Sequence, residues 1–328
     1  MTRCWEGPGC GVAGRPYSGR VIQLGRYPAP AHTVAHFSDP HFLADNRAMF
    51  GVLDTQHNLE VALAQLERSG SKPDAIVFTG DLADLGEPEA YARLRAIVEP
   101  VAERMGTTIV WVMGNHDERP VYQAQLFDEI GDQAVQDRVY DLGGLRLIAL
   151  DTTVPGYHHG EITSAQLDWL ADELRVPAPH GTIVALHHPP VPTSLEIMAI
   201  LELQNQDRLA SVLRGTDVRA ILGGHLHYST HSLFAGIPVS VASATCYTLD
   251  ISAARNTMSG VGGGQAFSMV TVFEDQVVFS AVPVGELDSV TGFSDTFLDK
   301  IAGMTTEARL EAFSRKSSSV TAADIEAL

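Results

Sequence analysis

The sequence predicts a layered α/β fold, and three features predict it. Short apolar runs alternate with segments of helical spacing from about residue 33 to residue 222, the pattern of strands buried under helices. From there to about 284 the chain alternates in strand fashion, which suggests a second sheet packed on the first. No linker splits this ordered stretch, so one domain, 32–284, carries both sheets.

Order begins at Thr33. The run 33–38 is apolar-rich and stops at Asp39-Pro40, as a buried strand entering a loop does. Leu59, Ala62, Leu63 and Leu66 share one face of a helix over 55–68, with Asp54 or Thr55 as cap and Gly70 as stop. A strand at 75–79 ends at Gly80-Asp81, a helix covers 87–104, and a strand at 108–113 ends at Gly114-Asn115-His116-Asp117. A short helix follows over 120–130. Residues 139–142 and 145–150 form a hairpin across Gly143-Gly144. Thr163-x-x-Gln166 caps a helix over 163–174, and the strand 182–186 ends at His187-His188-Pro189. The stretch 191–207 reads equally as helix or as loop. A helix at 206–214 leads to the strand 218–222, ending at Gly223-Gly224-His225. Strands are expected at 230–235, 237–243, 267–273 and 276–283, with a mobile Gly- and Ala-rich loop at 252–265. Residues 1–31 lack any period and read as a disordered arm; 285–328 read as a tail with short helices such as 304–314.

Composition narrows the function. The 328 residues include 22 basic and 40 acidic side chains, a net charge of −18. Such a surface repels polyanions, and no Lys/Arg run forms a basic face, so a nucleic-acid polymer is not an expected partner. A small anion drawn in by bound cations is. Three widely spaced cysteines, Cys4, Cys10 and Cys246, do not make a disulfide framework. No apolar run approaches the ~18 residues that span a membrane, and the first thirty residues hold no apolar signal core. A cytoplasmic protein is the expectation.

Metal-capable residues stand at five strand ends: Asp39-x-His41, Gly80-Asp81, Gly114-Asn115-His116-Asp117, His187-His188-Pro189 and Gly224-His225-Leu226-His227. Ligands of α/β sheets gather outside the carboxyl ends of the strands, where residues distant in sequence converge. Carboxylate and imidazole together suit Mn, Fe, Co, Zn or Ni. Asp39 and His41, two apart, can turn to one ion; Asp81 has two oxygens and can bridge two. Asn115 offers a carbonyl oxygen to a metal and amide hydrogens to a substrate oxygen. Leu226 can return to the core while His225 and His227 point outward. Taken singly, an Asp-x-His, a Gly-Asp or a His-Pro means little, since each is common in turns. All five in this order, each behind a buried strand, are not explained by chance. Three further features stand beside them. His188, which the pleat turns away from His187, reads as packing or as a partner of a ligand rather than as a metal ligand. The loop pair His158-His159 reads as plain surface loop or as substrate contact. Tyr228 packs in the core or lines the site.

The fuller strings Val-Phe-Thr-Gly-Asp-Leu-Ala-Asp (77–84), Trp-Val-Met-Gly-Asn-His-Asp (111–117), Leu-His-His-Pro-Pro (186–190) and Gly-His-Leu-His-Tyr (224–228) resemble the calcineurin-like metallophosphoesterase superfamily. Within it they are similar to bacterial class III cyclic nucleotide phosphodiesterases of the mycobacterial type, a likeness that continues through 239–247. The resemblance implies a four-layer α/β/β/α sandwich of two mixed sheets flanked by helices. It implies a dinuclear centre with Asp39, His41, Asp81 and His227 on one metal and Asp81, Asn115, His187 and His225 on the other. Iron with manganese is the implied pair, with zinc, cobalt or magnesium as substitutes. His116 would face the substrate phosphate without binding metal, its tautomer fixed by Asp117 or by a backbone carbonyl. Asp84 stands where purple acid phosphatases carry a tyrosine ligand, so their iron–tyrosinate site is not expected; Asp84 instead reads as a partner of a ligand or as a plain loop carboxylate. Pro40 replaces a small polar residue without touching the ligand set.

The implied reaction is hydrolysis of cAMP or cGMP to the 5′-nucleotide. Two cations about 3.5–4 Å apart lower the pKa of a shared water, and the resulting metal-bridged hydroxide attacks phosphorus in line with O3′. Asn115 and His116 stabilise the equatorial oxygens, and His116 can protonate the leaving oxygen. The alternatives are a broad-specificity small phosphodiesterase such as a glycerophosphodiesterase, and a catalytically silent metal-bearing regulatory protein. The motifs do not separate the first two, because selectivity lies in the cap-like segments 42–52 and 191–207. Relatives of this type imply a homodimer.

Overall fold

The computed structural model describes residues 24–254 and 257–321, so the expectation of disorder over 1–31 falls largely outside the described residues. Residues 30–288 form one compact unit. Its elements are β1 (His32–Phe37), α1 (Thr55–Arg68), β2 (Ala75–Thr79), α2 (Pro88–Met105), β3 (Thr108–Val112), α3 (Arg119–Leu126), β4 (Arg138–Asp141), β5 (Arg146–Leu150), α4 (Ser164–Glu173), β6 (Thr182–Leu186), α5 (Gln206–Leu213), β7 (Val218–Gly223), β8 (Thr230–Phe234), β9 (Ile237–Val241), β10 (Thr248–Leu249), β11 (Gly260–Val261), β12 (Ala266–Val272) and β13 (Val277–Pro283).

Two mixed sheets result. One has the order β13-β12-β1-β2-β3, parallel from β1 to the β3 edge and antiparallel from β1 to the β13 edge. The other has the order β4-β5-β6-β7-β9-β8, with a parallel centre and an antiparallel pair at each margin. Strand alternation sorts their side chains into three cores. Val34, Val77, Val110, Leu147, Ile183 and Leu222 meet between the sheets. On the outer face of the first sheet, Ala35, Phe37, Ile76, Phe78 and Trp111 pack under Leu59, Leu63 and Leu66 of α1 and Tyr91 and Leu94 of α2. On the outer face of the second, Ile148, Val184, Ile221 and Val239 pack under Leu167 and Leu170 of α4 and Leu209 and Leu213 of α5. The layers are therefore α/β/β/α.

Local chemistry sets the helix ends. The Asp54 carboxylate accepts from the His57 amide at 2.9 Å and starts α1. The Thr163–Gln166 capping box starts α4.

The strand-rich last third does not form the second sheet. β8 and β9 extend the second sheet beyond β7, whereas the β12–β13 hairpin returns to the first sheet and pairs antiparallel with β1, His32 opposite Val272. There Val270 and Val272 enter the inter-sheet core and Phe267 the outer one, and the edge of β1 is covered. The helix expected over 120–130 stops at Leu126; Asp128 adopts φ 56° and cannot continue it. The ambiguous 191–207 holds a short 3-10 turn, Glu196–Leu201. Within 252–265, Gly260–Val261 pairs with Thr248–Leu249 as a small ribbon, while 255 and 256 lie outside the described residues.

A second compact unit comprises the described residues 24–29 and 289–321. In it α6 (Asp295–Gly303) is capped by Ser294 and followed by α7 (Thr306–Arg309) and a π turn, Leu310–Ser314. Phe297 and Ile301 bury against Met304 and Ala312.

The inter-sheet core carries a stability prediction. Leu147 is fully buried there, so Leu147→Ala is expected to cost about 2–5 kcal/mol in urea unfolding. Leu233 on β8 is 70% exposed, so Leu233→Ala is expected to change it by less than about 0.5 kcal/mol.

Candidate metal centre

The loops after β1, β2 and β3 of one sheet and after β6 and β7 of the other meet at one edge. Backbone hydrogen bonds knit them: Asp39 N–H to the Gly80 carbonyl (3.1 Å), His41 N–H to that of Asp81 (2.9 Å), and Gly224 N–H to that of His187 (3.0 Å). The His225 amide donates to the Asp39 carboxylate at 3.2 Å. Gly114 lies so close to Asp81 that a Cβ there would strike its amide and carboxylate. Asp39, His41, Asp81, His225 and His227 all have positive φ, between 45° and 70°. Such backbone is unfavourable for residues with a Cβ and persists only where the surroundings enforce it, a pattern that concentrates at functional sites.

The structure brings the seven candidate ligands together, nearly all buried. Asp81 Oδ2 lies 3.4 Å from His41 Nε2 and 3.4 Å from His187 Nε2. On one side, His41 Nε2 is 3.2 Å from His227 Nε2, which is 3.4 Å from Asp39 Oδ1; ligand atoms of Asp39, His41, Asp81 and His227 all lie within 4.8 Å of one another. On the other, His187 Nε2 is 3.0 Å from Asn115 Oδ1, and the His187 and His225 rings are 5.0 Å apart.

Outer partners aim the imidazoles. Nδ1–H of His41 donates to Asp84 (2.9 Å), that of His187 to the Thr79 carbonyl (2.7 Å) and that of His227 to the Tyr247 carbonyl (3.1 Å). Each fixes one proton on Nδ1, so Nε2 is the nitrogen that a metal takes once it displaces any proton held there. His225 Nε2 is buried without a hydrogen-bond partner among the described residues. An orphaned imidazole nitrogen beside a set of carboxylate and imidazole donors fits a transition-metal ion.

Electrostatics point the same way. Burial opposes charge on His41, but hydrogen bonds to Asp81 and Asp84 outweigh it and push it up to about 10. His187 likewise is pushed up to about 9 by Asp81 and Asp39 against the cost of burial. Asp81 falls well below the carboxylate range despite burial, drawn down by His187 and His41. Burial and neighbouring imidazoles hold His225 well below its ordinary value and neutral. The cluster thus demands positive charge beside its carboxylates.

The neighbouring residues fall into place. His116 donates its amide to Asp81 Oδ1 (2.9 Å) and its Nδ1–H to the Asp84 carbonyl (2.8 Å). Its tautomer is set by that carbonyl and not by Asp117. Asp117 is buried beneath and accepts from the Leu82, Ala83 and Gly114 amides and the Tyr91 hydroxyl; burial and the nearby Asp81 push it up to about 6. Leu226 returns to the second outer core, as does Tyr228. His188 is buried, and burial and His187 lower it to about 3. Sequence reasoning left His158 open; it accepts a hydrogen bond from Asn115 Nδ2 at 2.8 Å. It placed Tyr247 at the end of the string 239–247 and Phe50 within the cap-like segment 42–52 but gave neither ring a role; the Tyr247 ring lies 4.5 Å from that of His227, and Phe50 is edge-on to Tyr247 at 5.4 Å.

Comparison with known proteins places the chain in a family. Residues 32–229 match the family model described as calcineurin-like phosphoesterase. The chain is 52% identical over 272 residues to a cAMP/cGMP dual specificity phosphodiesterase of Mycobacterium tuberculosis, covering 83% of this chain and 86% of that one. It is 50% identical over 264 residues to a probable cyclic nucleotide phosphodiesterase of Rhodococcus erythropolis, covering 80% and 87%. A dimetal phosphatase from Danio rerio shares the fold, with TM-score 0.55 at 16% identity over 78% of this chain and 98% of that one.

The raised imidazoles make metal binding a proton exchange. In protein stripped by a chelator, His41 and His187 hold protons at pH 7.5, so Mn²⁺ binding is expected to release about two protons per chain, read from the buffer dependence of the calorimetric enthalpy. Both values lie above the ordinary 6.5. Their contribution to the stripped protein's stability is therefore complete below pH 6.5 and is lost as pH rises through 9 and 10. Its melting temperature should fall over that window.

Proposed function

Since this chain belongs to the calcineurin-like phosphoesterase family, we propose that it is a metal-dependent phosphodiesterase that opens 3′,5′-cyclic nucleotides, cAMP and cGMP, to 5′-nucleotides. The carrying observation is Asp81, one carboxylate oxygen equidistant from His41 and His187 at 3.4 Å. In this reading Asp39, His41, Asp81 and His227 hold one ion and Asp81, Asn115, His187 and His225 the other. Two bound cations supply Lewis-acid activation of water and neutralise the phosphodiester charge.

The chain's own groups do the rest. Asn115 turns its carbonyl oxygen toward the His187 side and keeps an amide hydrogen for an equatorial phosphate oxygen. His116, anchored through Nδ1, keeps Nε2 clear of that bond; as general acid it gives a proton from Nε2 to O3′ as the P–O3′ bond breaks and the water oxygen bonds to phosphorus. Asp84 ties His41 to the backbone turn that holds His116. Beside His227, Tyr247 and the 71%-exposed Phe50 form an aromatic wall over Met49 and Leu53. A flat apolar wall suits a purine, which favours cyclic nucleotides over glycerophosphodiesters.

Iron with manganese is the proposed pair, supported by the mixed carboxylate–imidazole donor set; elemental analysis distinguishes it from zinc, cobalt or magnesium. The catalytic segment is 32–284, supported by the compact unit 30–288. The described residues contain no helix long and apolar enough to cross a membrane. A cytoplasmic location is supported by the unpaired buried thiol of Cys246. A homodimer, implied by resemblance, is read by sedimentation.

Assays on cAMP, cGMP, 2′,3′-cAMP and glycerophosphocholine with Mn²⁺ test the proposal. Turnover of the 3′,5′-cyclic nucleotides is expected; its absence sinks the proposal, and inactivity on all four favours a silent regulatory protein. Asn115→Ala should lower kcat by about 10²–10³-fold. Phe50→Ala should raise KM for cAMP by roughly 10-fold while leaving abasic ribose 3′,5′-cyclic phosphate unchanged.

A further inference from the structure

His158 belongs to no motif, yet it sits against the centre. Its Nδ1 accepts from Asn115 Nδ2 at 2.8 Å, and its ring centroid is 5.0 Å from that of His116. The loop carrying it is fixed rather than draped. Buried His188 takes the Thr152 hydroxyl on Nδ1 (2.7 Å) and donates Nε2–H to the His158 carbonyl (3.1 Å). Gly160 lies so close to that ring that a Cβ would come within 2.5 Å of His188 Cγ. Beyond it, Gly160 N–H donates to the Glu202 carbonyl and Gln204 N–H to that of Gly160. His188, placed behind His187 by strand alternation, thereby delivers His158 to Asn115.

An asparagine side chain has a particular need for such a neighbour. Its oxygen and nitrogen are nearly isosteric, and only hydrogen bonding decides which faces which way. With nitrogen inward, Asn115 would aim two N–H dipoles at the position a cation takes beside Asp81 and His187. With oxygen inward it is a ligand, and the nitrogen needs an acceptor outside. Among the described residues that acceptor is His158 Nδ1.

We propose that His158 is a positioning residue that holds the Asn115 amide with its oxygen toward the second metal position, and that His188 is the strut that keeps it there. The proposal rests on the two-metal reading above but not on the substrate. Removing the acceptor frees the amide to turn, so the second ion binds more weakly; outer partners of this kind carry about 10–100-fold in metal affinity. His158 is exposed, so its replacement leaves the cores intact.

Calorimetric titration of Mn²⁺ into chelator-stripped wild type, His158→Ala, His158→Phe and His158→Gln tests it without any turnover. The Ala and Phe variants should bind one Mn²⁺ equivalent as wild type does and the other about 10–100-fold more weakly. Gln, which can offer an amide oxygen to Asn115, should recover part of the loss. With cAMP, kcat of the Ala variant should return as Mn²⁺ is raised. Ala and Phe variants that bind both equivalents like wild type overturn the proposal, as does equal weakening of both ions. A wild type that binds two Mn²⁺ but leaves cyclic nucleotides intact defeats the substrate reading alone.

Discussion

The carboxylate of Asp81 lies where the two sheets come together, with Oδ2 midway between an imidazole carried by one sheet and an imidazole carried by the other. His41 follows β1 and His187 follows β6, so the distance between them is fixed only if the inter-sheet core of Val77, Val110, Ile183 and Leu222 packs to one separation. The remaining donors inherit the same dependence. Asp39 receives the His225 amide across the sheets, and the Gly224 amide meets the His187 carbonyl within one of them. A change in core volume would thus be felt at the centre as a change in donor spacing.

Around Asp81 the fold accepts local strain to gain convergence. Five of the seven candidate ligands occupy left-handed backbone, each at a cost of about 1–2 kcal/mol. What enforces them is a set of short links: Gly114 against Asp81, the buried Asp117 taking three amides and the Tyr91 hydroxyl, and carbonyls of Thr79 and Tyr247 holding two rings. The electrostatic result is a pocket of ionised carboxylates that pulls protons onto His41 and His187. A group that binds protons this strongly binds divalent cations in their place.

Much of this was legible from residue order. β1, β2, β3, β6 and β7 are apolar runs that end at Asp, Gly or His, and a strand end in an α/β sheet is where ligands gather. The side a strand joins was not legible. β12 and β13 carry the same alternation as β8 and β9, and only the free edge of β1 and the match of Phe267 and Val270 to different cores decide between the sheets. Tautomers were equally hidden, since carbonyls of Thr79, Asp84 and Tyr247 leave no trace in side-chain identity. His158 could be named but not given a role, because its loop has no period and its link to Asn115 depends on His188, which the pleat places behind His187 without saying what it touches.

The central claim is that Asp81 is shared by two metal ions. Anomalous diffraction from crystals grown with Mn²⁺, collected on both sides of the manganese edge, measures it directly. The account predicts two peaks about 3.5–4 Å apart, one within bonding distance of Asp39, His41 and His227, the other of Asn115, His187 and His225, and both bonded to Asp81. A single peak, or a pair of which one member is not bonded to Asp81, contradicts it.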